Sequence, residues 1–382
     1  MYRIIKIGMD VHSKTYTLCA VEVHVIGGNI VLTCESVDAA PCNVVKFIEC
    51  LKEKLGSDDK YDIECGYEAG CLGFSLYDEL TAMNIKCKVI APSTILQPNG
   101  KRIKTDARDA EWLAQHLAWG TCEFVHIPTD KDLEDKEFIR MRNDLKDALK
   151  RIKQQINAFC LRHGHRYPKS KWTGIHLKWL KSLKLSESLR RVLDEYLAAY
   201  NYLASTIARL DAEIAQRAAE GEHAEKVREL CCLSGVQALT ALSTIVETGD
   251  FKRFDRGSTY AAYLGLAPGE HSSGEHICRT GITKAGNSQI RRLLIESASG
   301  IVRGRISHKS KALAARQAGN RPEVIAYADK ARIRLLRKYQ RMINRGKNRN
   351  LAVTAIAREL ACFIWGIMTD NIGLTEREMA AA

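Results

Sequence analysis

Apolar and polar residues alternate from Arg3 to Asp10, and the run closes on a carboxylate. A period of two marks a strand with one buried face. Thr15 to Val25 is rich in β-branched residues, Gly27-Gly28-Asn29 is a turn signal, and Ile30 to Cys34 reads as a third short strand. Three consecutive strands predict an antiparallel meander. Pro41 then opens a helix, with Val44, Val45, Phe47, Ile48 and Leu51 at helical spacing. Tyr61 to Tyr67 reads as a strand, Leu72 to Met83 as a helix and Lys86 to Ile90 as a strand. Pro92 and Pro98 bound a loop, and a last helix runs from about Thr105 to Trp119, with Gly120 as its stop.

Three strands, helix, strand, helix, strand, helix is the order of the ribonuclease-H-type fold, an analogy of order alone. Residues 129–221 read differently. Asp130 to about Leu161 and Ser186 to Ala219 are long, charged and helical, joined by a basic link that begins Gly164-His165-Arg166-Tyr167-Pro168 and holds Trp172 and Trp179. Such a pair predicts an antiparallel helical hairpin, with dimerisation or an ordinary helical domain as its use. Residues 222–382 read as mainly helical, with a Gly-rich stretch from Gly265 to Gly286. The expected fold class is therefore α/β at the N-terminus, helical in the middle and mostly α-helical at the C-terminus. The expected domains are 1–128, 129–221 and 222–382.

Composition excludes several classes. Of 382 residues, 46% are hydrophobic and 27% charged, as in ordinary globular chains. The charged, alternating start does not read as a signal peptide, and the apolar run Leu360 to Met368 is about half a bilayer span. The 13 cysteines form no CxxC pair, so no zinc site is assigned and reduced thiols in a cytoplasmic protein are expected. The net charge is +13, and residues 301–350 alone, with 15 basic and 2 acidic residues, carry +13. A basic concentration of this kind points to a polyanion, most simply nucleic acid, against the blander reading of a solvated helix face.

Four carboxylates stand out by position. Asp10 ends the first strand, Glu68 ends the fourth, and Asp106 and Asp109 open the last helix of the first domain. Strand ends are where ligand sites gather in α/β sheets. At roughly 100° per residue, Asp106 and Asp109 share a stripe with Leu113 and Leu117, which predicts that both aspartates turn inward while Glu111 turns away. Inward carboxylates repel one another and lose hydration, so they need a cation or protons. Oxygen ligands without nearby histidine or thiolate suit magnesium or manganese. Two such ions could serve phosphodiester chemistry. Taken singly, Asp106 could be a helix-dipole acid and Asp109 a partner of Arg108 or of a basic loop. A second candidate is His271-Ser272-Ser273-Gly274-Glu275-His276, a serine in a Gly-rich loop near Arg279 and Lys284, although Ser-Ser-Gly is also a common turn.

The chain resembles the DEDD transposases of the insertion-sequence-110 family, and more distantly the Piv DNA invertases. The residues that carry the resemblance are Gly8-Met9-Asp10-Val11-His12-Ser13-Lys14, Tyr67-Glu68-Ala69-Gly70 and Lys104-Thr105-Asp106-Ala107-Arg108-Asp109-Ala110. In the C-terminal part they are Leu233-Ser234-Gly235-Val236, Tyr263-Leu264-Gly265-Leu266-Ala267-Pro268, Ser272-Ser273-Gly274, Ile282-Thr283-Lys284-Ala285-Gly286-Asn287 and Ala355-Ile356-Ala357-Arg358-Glu359-Leu360. The blocks run in family order over nearly the whole chain.

The resemblance implies a RuvC-like first domain with Asp10, Glu68, Asp106 and Asp109 as metal ligands for Mg2+ or Mn2+. It implies a coiled-coil dimerisation arm and a C-terminal transposase domain with a catalytic serine. Ser273 aligns with that serine, with Ser272 as the fallback. The family motif Ser-Gly-Gly-Lys continues here as Gly274-Glu275-His276. The implied activity is DNA recombination by transesterification, without ATP, in a homo-oligomer (dimer or tetramer). The implied partners are donor and target DNA and a structured guide RNA, with no membrane. The rival readings are a metal-dependent nuclease or junction resolvase without serine chemistry, a sugar-kinase-like or actin-like ATPase suggested by Gly8 to Lys14, and a non-enzymatic nucleic-acid-binding protein.

Overall fold

A computed structural model describes residues 2–24, 28–56, 60–70, 72–92, 105–270 and 278–373. The chain divides into two compact units, Met1–Ile127 and Pro128–Ala382.

The first unit is an α/β layer. Strands β1 (Tyr2–Val11), β2 (Thr15–Glu22) and β3 (Ile30–Asp38) form the expected antiparallel meander. Helix α1 (Pro41–Leu55) leads to β4 (Lys60–Glu68), which pairs parallel to β1. Helix α2 (Ser75–Ala82) leads to β5 (Lys86–Ile90), parallel to β4. The mixed sheet has the order β3-β2-β1-β4-β5. Central β1 alternates as its sequence does: Ile5, Ile7 and Met9 are fully buried, packed with Val44, Phe47, Ile48 and Leu51 of α1 and with Leu76 and Leu80 of α2. Each fully buried aliphatic side chain of this kind stabilises the fold by roughly 1.5–3 kcal/mol. The opposite face is covered by α3 (Asp106–Trp119), whose Leu113 and Leu117 pack on Ile90.

Cys19 and Cys34 lie opposite one another on β2 and β3 and are joined by a disulfide. This corrects the expectation that all thiols are reduced. Strand register brings the two together, and nothing in their spacing signals it. Ten other cysteines among the described residues are free.

Among its described residues the second unit is helical apart from one small hairpin. Helices α4 (Asp130–Arg162) and α6 (Glu187–Glu220) form the long antiparallel pair, each about 50 Å at 1.5 Å per residue. Thr129 caps α4 by accepting from the amide of Asp132 at 3.1 Å. The basic link folds further than its sequence suggests. It contains α5 (Gly174–Ser182), whose buried Leu180 plugs the closed end of the hairpin against Ile156, Phe159, Leu193 and Leu197. At the open end, Ile139 and Ile214 join the core of the C-terminal helices. Those are α7 (Ala224–Leu230), α8 (Ala238–Thr248), α9 (Gly257–Tyr263), α10 (Ser288–Ile301), α11 (Lys311–Gln317), α12 (Pro322–Asn344) and α13 (Arg349–Met368), with strands β6 (Pro268–Glu270) and β7 (Arg279–Ile282) between α9 and α10. Among the described residues α13 is the helix long and apolar enough to cross a bilayer, but two thirds of that stretch is buried as a core helix, including Ile356, Leu360 and Ile364.

Candidate active site

The carboxylates are positioned by two glycines and one helix. Gly8 pairs with Gly66 across β1 and β4, and Met9 with Tyr67, so Asp10 and Glu68 come next at the same level on neighbouring strands. Side chains two apart on a strand share a face, so Asp10 lies on the face of Gly8 and Glu68 on that of Gly66. That is the face of α3. A Cβ at Gly8 would run into the Ala110 carbonyl oxygen and the Ala114 amide nitrogen, and one at Gly66 would lie 2.7 Å from a Leu117 methyl. Only glycine lets α3 lie this close to the sheet. Because the helix crosses Gly8 at Ala110, its first turn falls over the end of β1. Thr105 holds that turn, accepting from the Arg108 amide at 3.4 Å.

Asp10, His12 and Asp106 converge there, each offering a ligand atom within 4.8 Å of the others. His12 Nε2 stands 3.5 Å from Asp10 Oδ2. Among the described residues this group contains neither Glu68 nor Asp109. Asp10 and Asp109 are half-buried, whereas Glu68, His12 and Asp106 are exposed. The inward orientation expected of Asp106 is therefore corrected. Leu113 and Leu117 on its stripe are buried, but the first turn emerges beyond the sheet. His12 was missed. The sequence carried a signal, since an Asp-x-His at the end of a strand puts both side chains on one face. The turn completes it, with the His12 amide donating to the Thr15 carbonyl at 2.9 Å.

Two carboxylates and one imidazole on a span of this size suit a hard or borderline divalent ion, for which oxygen ligands sit roughly 2.0–2.6 Å away. The donor set therefore fits the group the sequence implied.

Ser272 and Ser273 lie outside the described residues, as do Gly274, Glu275 and His276. The strands that carry them are described. β6 and β7 pair antiparallel, Pro268 against Ile282 and Glu270 against Arg279. Below them Gly286 takes φ +65°, and a Cβ there would run into the Tyr263 carbonyl. Arg291 Nη1 donates to the Leu264 carbonyl at 2.9 Å and the Ala285 carbonyl at 2.8 Å. Asn287 caps α10, accepting from the amides of Gln289 and Ile290.

The same asparagine reaches Glu247, which sequence reasoning did not single out. Glu247 is buried at the end of the apolar α8 and accepts a fork from Arg140, at 3.0 Å from Nε and 3.2 Å from Nη2, with Lys136 Nζ at 3.8 Å. Burial pushes the Lys136 ammonium down from its ordinary value; Glu247 opposes the shift and Arg140 adds to it. An acid at the end of an apolar helix was the available signal.

In the basic stretch several cations serve the fold. Lys309 pairs with Asp329, Arg321 with Glu229 and Asp370, and Lys338 with Glu359. Arg332 donates to the carbonyls of Arg305, Ile306 and His308. Arg337, Arg341, Arg345, Lys347 and Arg349 form no ion pair among the described residues.

Two family profiles cover most of this architecture. Residues 7–163 match the DEDD transposase family of IS110 elements, and residues 227–314 match the family described as Transposase IS116/IS110/IS902. The chain is 35% identical over 305 residues to "Putative transposase y4qE" of Sinorhizobium fredii, covering 80% of this chain and 75% of that one. The chain belongs to the IS110 family of transposases. It is also 28% identical over 352 residues to the transposase for insertion sequence element IS1533 of Leptospira borgpetersenii, covering 90% of this chain and 97% of that one. With the transposase for insertion sequence element IS1111A of Coxiella burnetii it shares 26% identity over 297 residues, covering 77% and 74% of the two chains. This IS110-family transposase is thus a DNA enzyme, and the first matched region contains the whole of the acid cluster.

Proposed function

We propose that this transposase cleaves and exchanges DNA strands with a divalent-metal site on its first unit and a serine nucleophile on its second. The observation that carries the reading is the approach of Asp106 to Asp10 and His12 over the end of β1. The strand order β3-β2-β1-β4-β5, with two parallel strands added to a meander, supports a RuvC-like, ribonuclease-H-type unit. Asp10, Asp106 and His12 would hold the ion, with Glu68 and Asp109 at its margin. Mg2+ or Mn2+, when bound, would polarise a phosphate oxygen.

The chain's own residues supply the rest. Ser273, with Ser272 as the alternative, attacks a DNA phosphorus. Its Oγ–P bond forms, one strand's P–O bond breaks, and the leaving oxygen takes the proton given up by the serine hydroxyl. The number of phosphoester bonds is unchanged, so the exchange needs no ATP. The exposed cations from Arg337 to Arg349 lie against donor or target DNA backbone, for which phosphate contact dominates affinity. A structured guide RNA, a homo-oligomer built on the α4–α6 hairpin and a cytoplasmic setting complete the reading. The three expected parts, 1–128, 129–221 and 222–382, carry metal, assembly and serine chemistry in turn.

The test is strand exchange on paired donor and target DNA with Ser273→Ala, Ser272→Ala and Asp10→Asn. Loss with Asp10→Asn and with one serine variant supports the reading. Exchange that survives both serine variants replaces it with a metal-dependent nuclease or junction resolvase.

A further inference from the structure

Outside residues 301–350 the chain is neutral on average, and the average hides a second basic block. Residues 148–186 contain ten Lys and Arg and no Asp or Glu. They make up the closed end of the helical hairpin: the last turns of α4, the link and α5. Nine of the ten cations are exposed, and Lys153 is half-buried. Along the hairpin's other end cations pair with acids, as Arg142 does with Asp211 and Arg217 with Asp135. Among the described residues none of the ten joins an ion pair. Like charges gathered at one end repel one another and destabilise the compact state, so the fold gains nothing from them. Two such ends also repel, so the assembly proposed for the hairpin is not made through this end.

Among these charges lies a cavity of about 300 Å³. Tyr167, His176 and Trp179 supply rings to its wall, and His165, Arg166 and Lys171 supply polar and cationic groups. The rings cluster: Tyr167 lies 5.0 Å from Trp179 at a tilt of 48°, and the buried His176 stacks on Trp179 at 5.7 Å between centroids. Next to them Trp172 stacks on Tyr200, with the Lys153 ammonium 5.5 Å from the Trp172 ring centroid. Trp172 and Trp179 pack one side on the core of Leu180, Phe159 and Ile156, but Tyr167 and Trp179 remain only half-buried and keep part of their surface open. Leu161, another wall residue, is 56% exposed.

Aromatic faces beside unpaired cations are the chemistry that holds unstacked bases on a phosphate backbone. We propose that the closed end of the α4–α6 hairpin binds single-stranded nucleic acid, its cavity taking one unstacked base and its exposed cations tracking the phosphates. This site shares no residue with the acid cluster or the serine loop, so either reading can fail without the other.

The full-length protein is titrated, by fluorescence anisotropy at several salt concentrations, with a labelled RNA strand, the DNA strand of the same sequence and a base-free strand of equal length. Arg166→Gln with Lys171→Gln, both exposed and harmless to the fold, should flatten the log-affinity against log-salt slope for single strands by about 1.4. Tyr167→Ala should weaken the intact strand about tenfold and leave the base-free strand unchanged. The intact strand that loses more, RNA or DNA, identifies the source. The proposal is overturned if the double variant keeps the wild-type slope, or if the wild type binds the base-free strand as tightly as the intact one. It is also overturned if the double variant alters only the monomer–dimer balance in sedimentation.

Discussion

Asn287 donates its side-chain amide to Glu247 at 2.8 Å while its own carbonyl oxygen caps α10. One residue thus ties the foot of the serine-bearing hairpin to a buried acid on α8, and Arg140 ties that acid to the long helix α4.

Removing the acid should be felt in stability. Glu247→Ala leaves Lys136 mostly buried and unpaired, and Arg140 partly so. Because Arg140 retains solvent, the cost falls below that of a fully buried pair, at about 2 kcal/mol. Urea unfolding should show a lowered midpoint with an unchanged slope. A midpoint equal to wild type would mean that this network holds nothing in place.

Gly8 controls the acid cluster without touching an ion. Gly8→Ala pushes α3 off the sheet, because the added methyl meets helix backbone rather than a mobile side chain. Overpacking of this kind costs about 1–3 kcal/mol. The expected outcome is a destabilised first unit together with Mn2+ affinity weakened at least tenfold by calorimetry. Wild-type Mn2+ affinity in this variant would show that Asp106 is not needed near Asp10.

His12→Ala and Asp106→Asn test the ligand set itself. Each should weaken Mn2+ binding by at least about tenfold, since loss of a ligand costs no less than the ten- to hundredfold lost with a partner behind one. Neither should change the unfolding free energy by more than about 0.5 kcal/mol, since both side chains are exposed. Mn2+ affinity unmoved by His12→Ala would remove the imidazole from the site.

Glu359 makes stability depend on acid. Burial pushes its carboxyl up, but Lys338 and Arg334 more than offset this and hold it below the ordinary glutamate value. A group depressed in the folded state contributes fully above its unfolded pKa of roughly 4.3 and loses that contribution as pH falls through the lower, folded pKa. Wild type should therefore lose stability below about pH 4.3, and Glu359→Gln should be less stable at neutral pH but flatter through the acid range. Parallel stability curves for the two proteins would contradict the ion-pair account.

Periodicity carried much of the fold. The meander, the parallel additions and the two long helices all sit within a few residues of their predicted bounds, because alternation and helical spacing are local properties. The site was legible in part. Asp10 and Asp106 stand out as strand-end and helix-start acids, His12 and Glu247 carry only local signals whose partners packing decides, and the Cys19–Cys34 bond carries none, since register alone sets the two opposite each other. The link at the closed end of the hairpin reads as basic in the sequence, but only the fold joins it to the last turns of α4 and to α5 as one unpaired surface.

What the chain determined alone, then, was element type and order, the basic C-terminal stretch and the positions from which carboxylates could reach one another. Tertiary structure decided which of them do. Gly8 let α3 settle on β1 at Ala110, and that crossing point brings Asp106 beside Asp10 and His12 and leaves it outside the core. Helical spacing orients a side chain around its own axis, but how far along a sheet the helix lies depends on backbone contacts made by residues far apart in the chain.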